Sequence, residues 1–178
     1  HAHAACAALL SYAEHTQGRA LTHVRALVVE RAGTLIELPA STRRNLELVQ
    51  TLRGEDAPTL LSLLDTCLTG MGSRRLKSWL LAPARERAEA SARLAAIGAL
   101  RAGGLWQKLR AHLKGSSDVE RITARLALGQ VRPRELVALR QTLQKTELLA
   151  LVQQAPEPLL MQIAADLARL RSTDNLDA

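Results

Sequence analysis

Residues Thr69 to Leu80 read TGMGSRRLKSWL: two glycines one residue apart, two adjacent arginines, then a run with helical spacing. Glycine and arginine commonly accompany bound phosphate, so this stretch decides whether the chain grips a nucleotide or packs helices. A Walker-type loop requires G-x-x-x-x-G-K-[ST] between a strand and a helix. No such string occurs. Gly98 and Gly103 have the spacing, but Gly104 stands where the lysine is required. The dinucleotide fingerprint fails as well, because Arg75 occupies its third glycine position, and the preceding LLSLLDTCL reads as helix rather than strand. On a helical wheel at about 100° per residue, Leu76 and Trp79 fall within about 40° of Gly72 and Leu80 within about 80°. Arg74, Lys77 and Leu81 fall nearer the opposite side. Gly72 therefore sits in the apolar face, where a residue without a side chain lets a neighbouring helix approach closely. The stretch is read as packing machinery, with Gly72, Leu76 and Trp79 as its contact residues.

Composition points the same way. The chain has 178 residues with 47% apolar content, 2% aromatics and no Phe. A core built from Leu, Ala, Val and Ile favours helix on helix. Two Trp and one Tyr are too few for a platform on which bases stack. The net charge of +7 and isoelectric point near 10.4 permit an anionic partner such as nucleic acid. They equally describe a solvated, Arg-rich helical surface, and both readings stay open. Cys6 and Cys67 lie far apart, which fits a reducing compartment better than a disulfide scaffold. No apolar run approaches the ~18 residues of a membrane span. The start at His1-Ala-His-Ala, without Met, reads as a piece of a longer protein.

Outward from the opening stretch the pattern is helical almost throughout. Residues 1–17 are Ala-rich, with Gly18 as a stop. HVRALVVE (23–30) and TLIELP (34–39), joined through Arg31-Ala32-Gly33, are β-branched-rich and predict one small β-hairpin. Ser41 or Thr42 can cap a helix through Leu48. Residues 86–101 form an amphipathic pattern with Leu94, Ile97 and Leu100 on its apolar positions. Ser117 and Glu120 have capping-box spacing ahead of Val119, Ile122 and Leu126. From Pro133 to about Gln153 runs the longest helical pattern, with Leu136, Leu139 and Leu143 spaced as a packing seam. A last helix covers about 158–172.

Candidate sites are few. His1, His3 and Cys6 scatter around a helix axis and do not assemble a metal site. Arg121 and Arg125 stand four apart on one helix, an arrangement that repels in isolation and calls for anions. Asp118 can serve one of them, and a neighbouring element or a phosphate the other. Arg43 and Arg44 read by default as a solvated face and alternatively as a contact to DNA backbone.

Three segments together carry a resemblance. STRRNLELVQTLRGE (41–55), TLLSLLDTCLTGMGSRRLKSWLLAP (59–83) and DVERITARLALGQVRPRELVALRQTL (118–143) are similar, in order and spacing, to the core domain of bacterial MutS DNA mismatch-repair proteins. ALLSYAEHTQ (8–17) followed by a hairpin is similar to the start of that domain. The match weakens after about residue 150. Pro39 stands where the family often has Asp, and Gly70 where Pro is common at the helix start.

The resemblance implies an all-α, multi-helical core (lever) domain over 1–178, with a leading helix over 1–17 and a β-hairpin over 22–38. It implies a parent with mismatch-reading, connector, clamp and ATPase domains outside this chain. The family's dimer encircles mismatched double-stranded DNA, uses ATP and Mg to become a sliding clamp, and recruits MutL. The chain itself is then expected to hold no cofactor, metal or catalytic residue. It would carry the state of the ATPase sites to the clamp, in the bacterial cytoplasm at the nucleoid. Asp118, Arg121 and Arg125 would form a polar anchor, and Leu136, Leu139 and Leu143 would seat the lever. The alternatives are a basic helical module that binds DNA backbone without mismatch specificity, and an unrelated helical adaptor.

Overall fold

The computed structural model describes residues 2–18, 21, 24, 26–29, 33–145 and 147–171. Among them the chain forms α1 (Ala2–Gln17), α2 (Ala40–Asn45), α3 (Leu60–Leu64), α4 (Gly70–Leu81), α5 (Arg87–Ala102), α6 (Leu105–Leu113), α7 (Val119–Ala127), α8 (Pro133–Leu143), α9 (Glu147–Gln153) and α10 (Pro158–Arg171). There are two compact units, His1–Ala32 and Gly33–Ala178. No described helix is long and apolar enough to cross a membrane.

The first unit is α1 and the segment after it. Alanine content drives the helix, and Gly18 ends it with a left-handed φ of +63°, its amide donating to the Glu14 carbonyl at 2.9 Å. Leu9 and Tyr12 of α1 are exposed.

Among the described residues the β-hairpin expected over 22–38 does not form. Residues 22, 23, 25 and 30–32 lie outside the described set, and the rest of that span contains no strand. Its second arm pairs elsewhere. Ile36 N–H donates to Pro83 O at 2.8 Å and Arg85 N–H to Thr34 O at 3.0 Å, giving one antiparallel bridge between Leu35 and Ala84. The TLIE run is competent to pair, but its partner is the segment after α4, and no local pattern encodes that contact.

The core of the second unit lies between α5, α6, α9 and α10. Ala96, Leu105, Leu151, Val152, Ala155, Leu160 and Ala164 are buried together, flanked by Leu100, Leu109 and Leu159. Three of these are alanines, and small side chains at a crossing let helix axes approach. Gly104, at φ +63°, turns the chain between α5 and α6. Glu157 starts α10: its side chain accepts from Leu160 N–H at 3.1 Å and its carbonyl from Met161 N–H at 2.9 Å. The buried face of α5 is centred on Ala96 rather than on the larger apolar residues, and Leu94 and Ile97 are exposed.

The long helix expected from Pro133 to Gln153 is two helices. α8 ends at Leu143 with Gln144 as its cap, and α9 begins at Glu147. Tertiary hydrogen bonds override the local pattern here. Lys145 Nζ leaves the α8 line to donate to His112 O (2.7 Å), Lys114 O (3.0 Å) and Ser116 Oγ (3.0 Å), at the C-terminal end of α6. A cation there satisfies carbonyls that lack intrahelical partners and complements the helix dipole.

This core assignment has a direct check. Leu160→Ala is expected to cost about 2–4 kcal/mol in urea unfolding. Leu136→Ala, at a seam position that is 42% exposed, is expected to cost less than about 1 kcal/mol. Equal losses would move the core away from α10.

Candidate functional site

Of the residues that the sequence singles out, Asp118, Arg121 and Arg125 meet at one polar junction between α4, α7 and α8. α4 is launched by Thr69, whose Oγ1 accepts from Gly72 N–H at 3.1 Å. That bond engages the amide that a phosphate loop would offer to its ligand. A Cβ added to Gly72 would lie 3.2 Å from Cys67 Cβ and 3.2 Å from Thr69 Oγ1. The close neighbour of Gly72 is thus the turn that precedes its own helix, not a second helix. Asp65 organises that turn, accepting from Cys67 N–H at 3.0 Å and Ser73 Oγ–H at 3.1 Å. The Cys67 amide and the Ser73 hydroxyl hold its carboxyl below the usual carboxylate range.

One turn into α4, Arg74 reaches across to α7. Its Nη1 donates to Asp118 Oδ2 at 2.7 Å, and its Nη2 to Asp118 Oδ1 at 2.8 Å and Glu120 Oε2 at 2.6 Å. This is the two-pronged geometry for which a guanidinium is suited. Asp118 is also the N-cap of α7, accepting from Arg121 N–H at 3.2 Å. The cap is therefore Asp118 rather than Ser117. Ser117 turns to α8, where its hydroxyl donates to Ala138 O (2.9 Å) and its amide donates to Thr142 Oγ1 (2.9 Å). The Arg74 hydrogen bonds depress the Asp118 carboxyl below its ordinary value, with the Arg121 amide adding to the effect. Gly70 lies against the pair, its added Cβ 3.5 Å from both Arg74 Nη1 and Asp118 Oδ2.

The two arginines of α7 sit differently. Arg121 Nε is 3.7 Å from Asp118 Oδ2, an ion pair longer than a hydrogen bond. Arg125 pairs with Glu135 in the first turn of α8. Glu135 also accepts from Arg132 N–H at 2.9 Å, and that amide, ahead of Arg125, lowers its carboxyl pKa. Asp118 and Glu135 thus each start a helix and bind an arginine.

Trp79 lies over α5, with the Arg93 guanidinium 4.0 Å from its ring centroid and Arg75 of its own helix at 5.6 Å. It is 38% exposed, so this stacking replaces the buried helix contact expected of it. Leu76, Leu139 and Leu143 are half-buried. Arg43 and Arg44, in the last turn of α2, line a separate pocket with Lys77 of α4.

Sequence reasoning missed Arg74. The wheel put it opposite the apolar face, and a residue there reads as solvated. The available signal was the anion demand of Arg121 and Arg125, which led to Asp118 but not to the stronger claimant on it, 44 positions away.

A family model described as MutS domain III matches residues 41–177. The chain belongs to the MutS family. α3 through α10 and all of α2 but its first residue fall inside the matched span, and with them the whole junction. The chain is therefore a core domain of a MutS-family mismatch-repair protein, and the adaptor reading is set aside. In this MutS core, polar side-chain ties join α4, α7 and α8, with Ile122 of α7 buried, and apolar packing joins α5, α6, α9 and α10.

Two tests follow from this geometry. Gly72→Ala is expected to stay within about 0.5 kcal/mol of wild type, the helix-propensity gain offsetting the tight Cβ. Gly72→Leu is expected to lose about 1–3 kcal/mol by displacing the Thr69 turn; an unchanged melting temperature would refute the crowding. The second test concerns pH. Asp118 binds its proton less readily folded than unfolded, so its contribution is full above about pH 4 and is lost as pH falls through the lower folded value. The stability gap between wild type and Arg74→Gln, read by urea unfolding, is expected to shrink below about pH 4. A gap that stays constant down to pH ~3 would show that the tie does not titrate.

Proposed function

We propose that this domain is a mechanical, signal-transmitting part of its parent, coupling the state of ATPase sites elsewhere in that protein to a clamp that closes on DNA. The observation that carries the reading is the set of side-chain ties between helices remote in sequence: Arg74 to Asp118 and Glu120, Ser117 to Thr142 and Ala138, and Lys145 to the end of α6. Such ties make one end of a helical body respond to displacement at the other, provided the assembly has two discrete arrangements. In this reading the domain performs no catalysis and holds no cofactor. ATP and Mg belong to the parent's ATPase domain. The parent acts as a homodimer on mismatched double-stranded DNA and hands on to MutL, in the bacterial cytoplasm at the nucleoid.

The test uses the full-length parent. Arg74→Gln removes the fork, and Arg74→Lys keeps the charge without the two-pronged geometry. Both are expected to leave nucleotide binding and nucleotide-free mismatch affinity within about threefold while slowing ATP-triggered release from DNA. The expected slowing is about 5- to 150-fold, the usual span of a coupling free energy. Unchanged ATP-triggered release in both variants would sink the coupling role.

A further inference from the structure

Three cations of the described residues line one opening. A pocket of about 520 Å³ opens between α2, the turn at 49–54 and α4. Arg43, Arg44 and Lys77 line it, with Thr51 at one wall and Val49 and Leu81 as apolar sides. Among the described residues no carboxylate lines it. Among the described residues none of the three has an ion-pair partner, which is equally true of exposed cations such as Arg101 and Lys108; what sets the three apart is that they share one concavity.

Two details describe its walls. Arg43 is only partly exposed, and its Nε–H is buried with no acceptor among the described residues. That Nε–H is closed to solvent, so a ligand in the opening meets the other cations that line it and not this donor. Thr51 is buried, and its Oγ1 accepts from Glu55 N–H at 3.0 Å, which leaves the hydroxyl proton free to donate. Three converging positive charges repel one another in a concavity whose apolar sides weaken screening, and one multi-oxygen anion relieves all three.

We propose that the Arg43–Arg44–Lys77 pocket is a phosphate subsite that takes one phosphodiester of a nucleic-acid backbone. A phosphate group fits because it offers several oxygens to several donors at once. The open side lets the chain that carries it continue past the pocket. The choice of DNA over free phosphate rests on the family reading above. The contact is sequence-independent and indifferent to mismatches, since it touches no base edge.

The experiment measures anisotropy of a labelled matched duplex with the 178-residue chain, without nucleotide, from about 50 mM salt upward. Arg44→Gln/Lys77→Gln is compared with Arg101→Gln/Lys108→Gln, which removes the same charge elsewhere. All four positions are exposed, and melting temperatures verify folding. The pocket pair is expected to weaken binding roughly tenfold or more and to flatten the salt slope by about 2. The control pair is expected to stay within about threefold, and matched and mismatched duplexes to bind alike. Equal loss in both pairs, or no wild-type binding at about 50 mM salt, overturns the pocket. Displacement of the duplex by micromolar inorganic pyrophosphate would make it a free-phosphate site and overturn the nucleic-acid assignment. Because no nucleotide or ATPase domain takes part, failure here is distinct from failure of the coupling role.

Discussion

The Arg74 guanidinium lies across Asp118 and Glu120, and much of the second unit is arranged around that contact. It joins α4 to α7 through the very carboxylate that starts α7, so positioning one helix and nucleating the other are one event. Through Ser117, beside Asp118, the same corner is held to the C-terminal half of α8, and through Lys145 the end of α8 is held to α6. Four helices are indexed by polar bonds. Directional bonds of this kind fix register, which apolar contact alone leaves loose.

That division of labour follows from composition. With no Phe and many alanines, the chain has limited bulky surface to bury. The buried apolar cluster is confined to α5, α6, α9 and α10, while Leu63, Leu94 and Val137 stand in solvent. Outside the cluster α7 buries Ile122, and α4, α7 and α8 are joined by side-chain ties at their ends.

The helical class was plain from periodicity and aromatic poverty, and the segments at 41–55, 59–83 and 118–143 carried the family. The β-hairpin was misread because a β-branched run states that it can pair, not with what; Leu35 found Ala84. The break between α8 and α9 was invisible because Lys145 is a good helix former, and its three acceptors lie about 30 residues upstream. The wheel identified Gly72 as crowded but could not name Cys67 and Thr69, which belong to a turn with no periodicity. For the candidate site, local chemistry led to Asp118, Arg121 and Arg125. Arg74 required the fold.

The tryptophan of the opening stretch has a spectroscopic consequence. The chain holds two indoles and a single tyrosine, and the indoles lie in different neighbourhoods. Trp79 of α4 sits under the Arg93 guanidinium of α5, whereas Trp106 is exposed in the first turn of α6. Emission from this protein is a two-channel optical signal. One fluorophore is sensitive to the separation of α4 from α5, and the other to the solvent around the start of α6. With either indole replaced, the survivor reports one region alone, without an added dye.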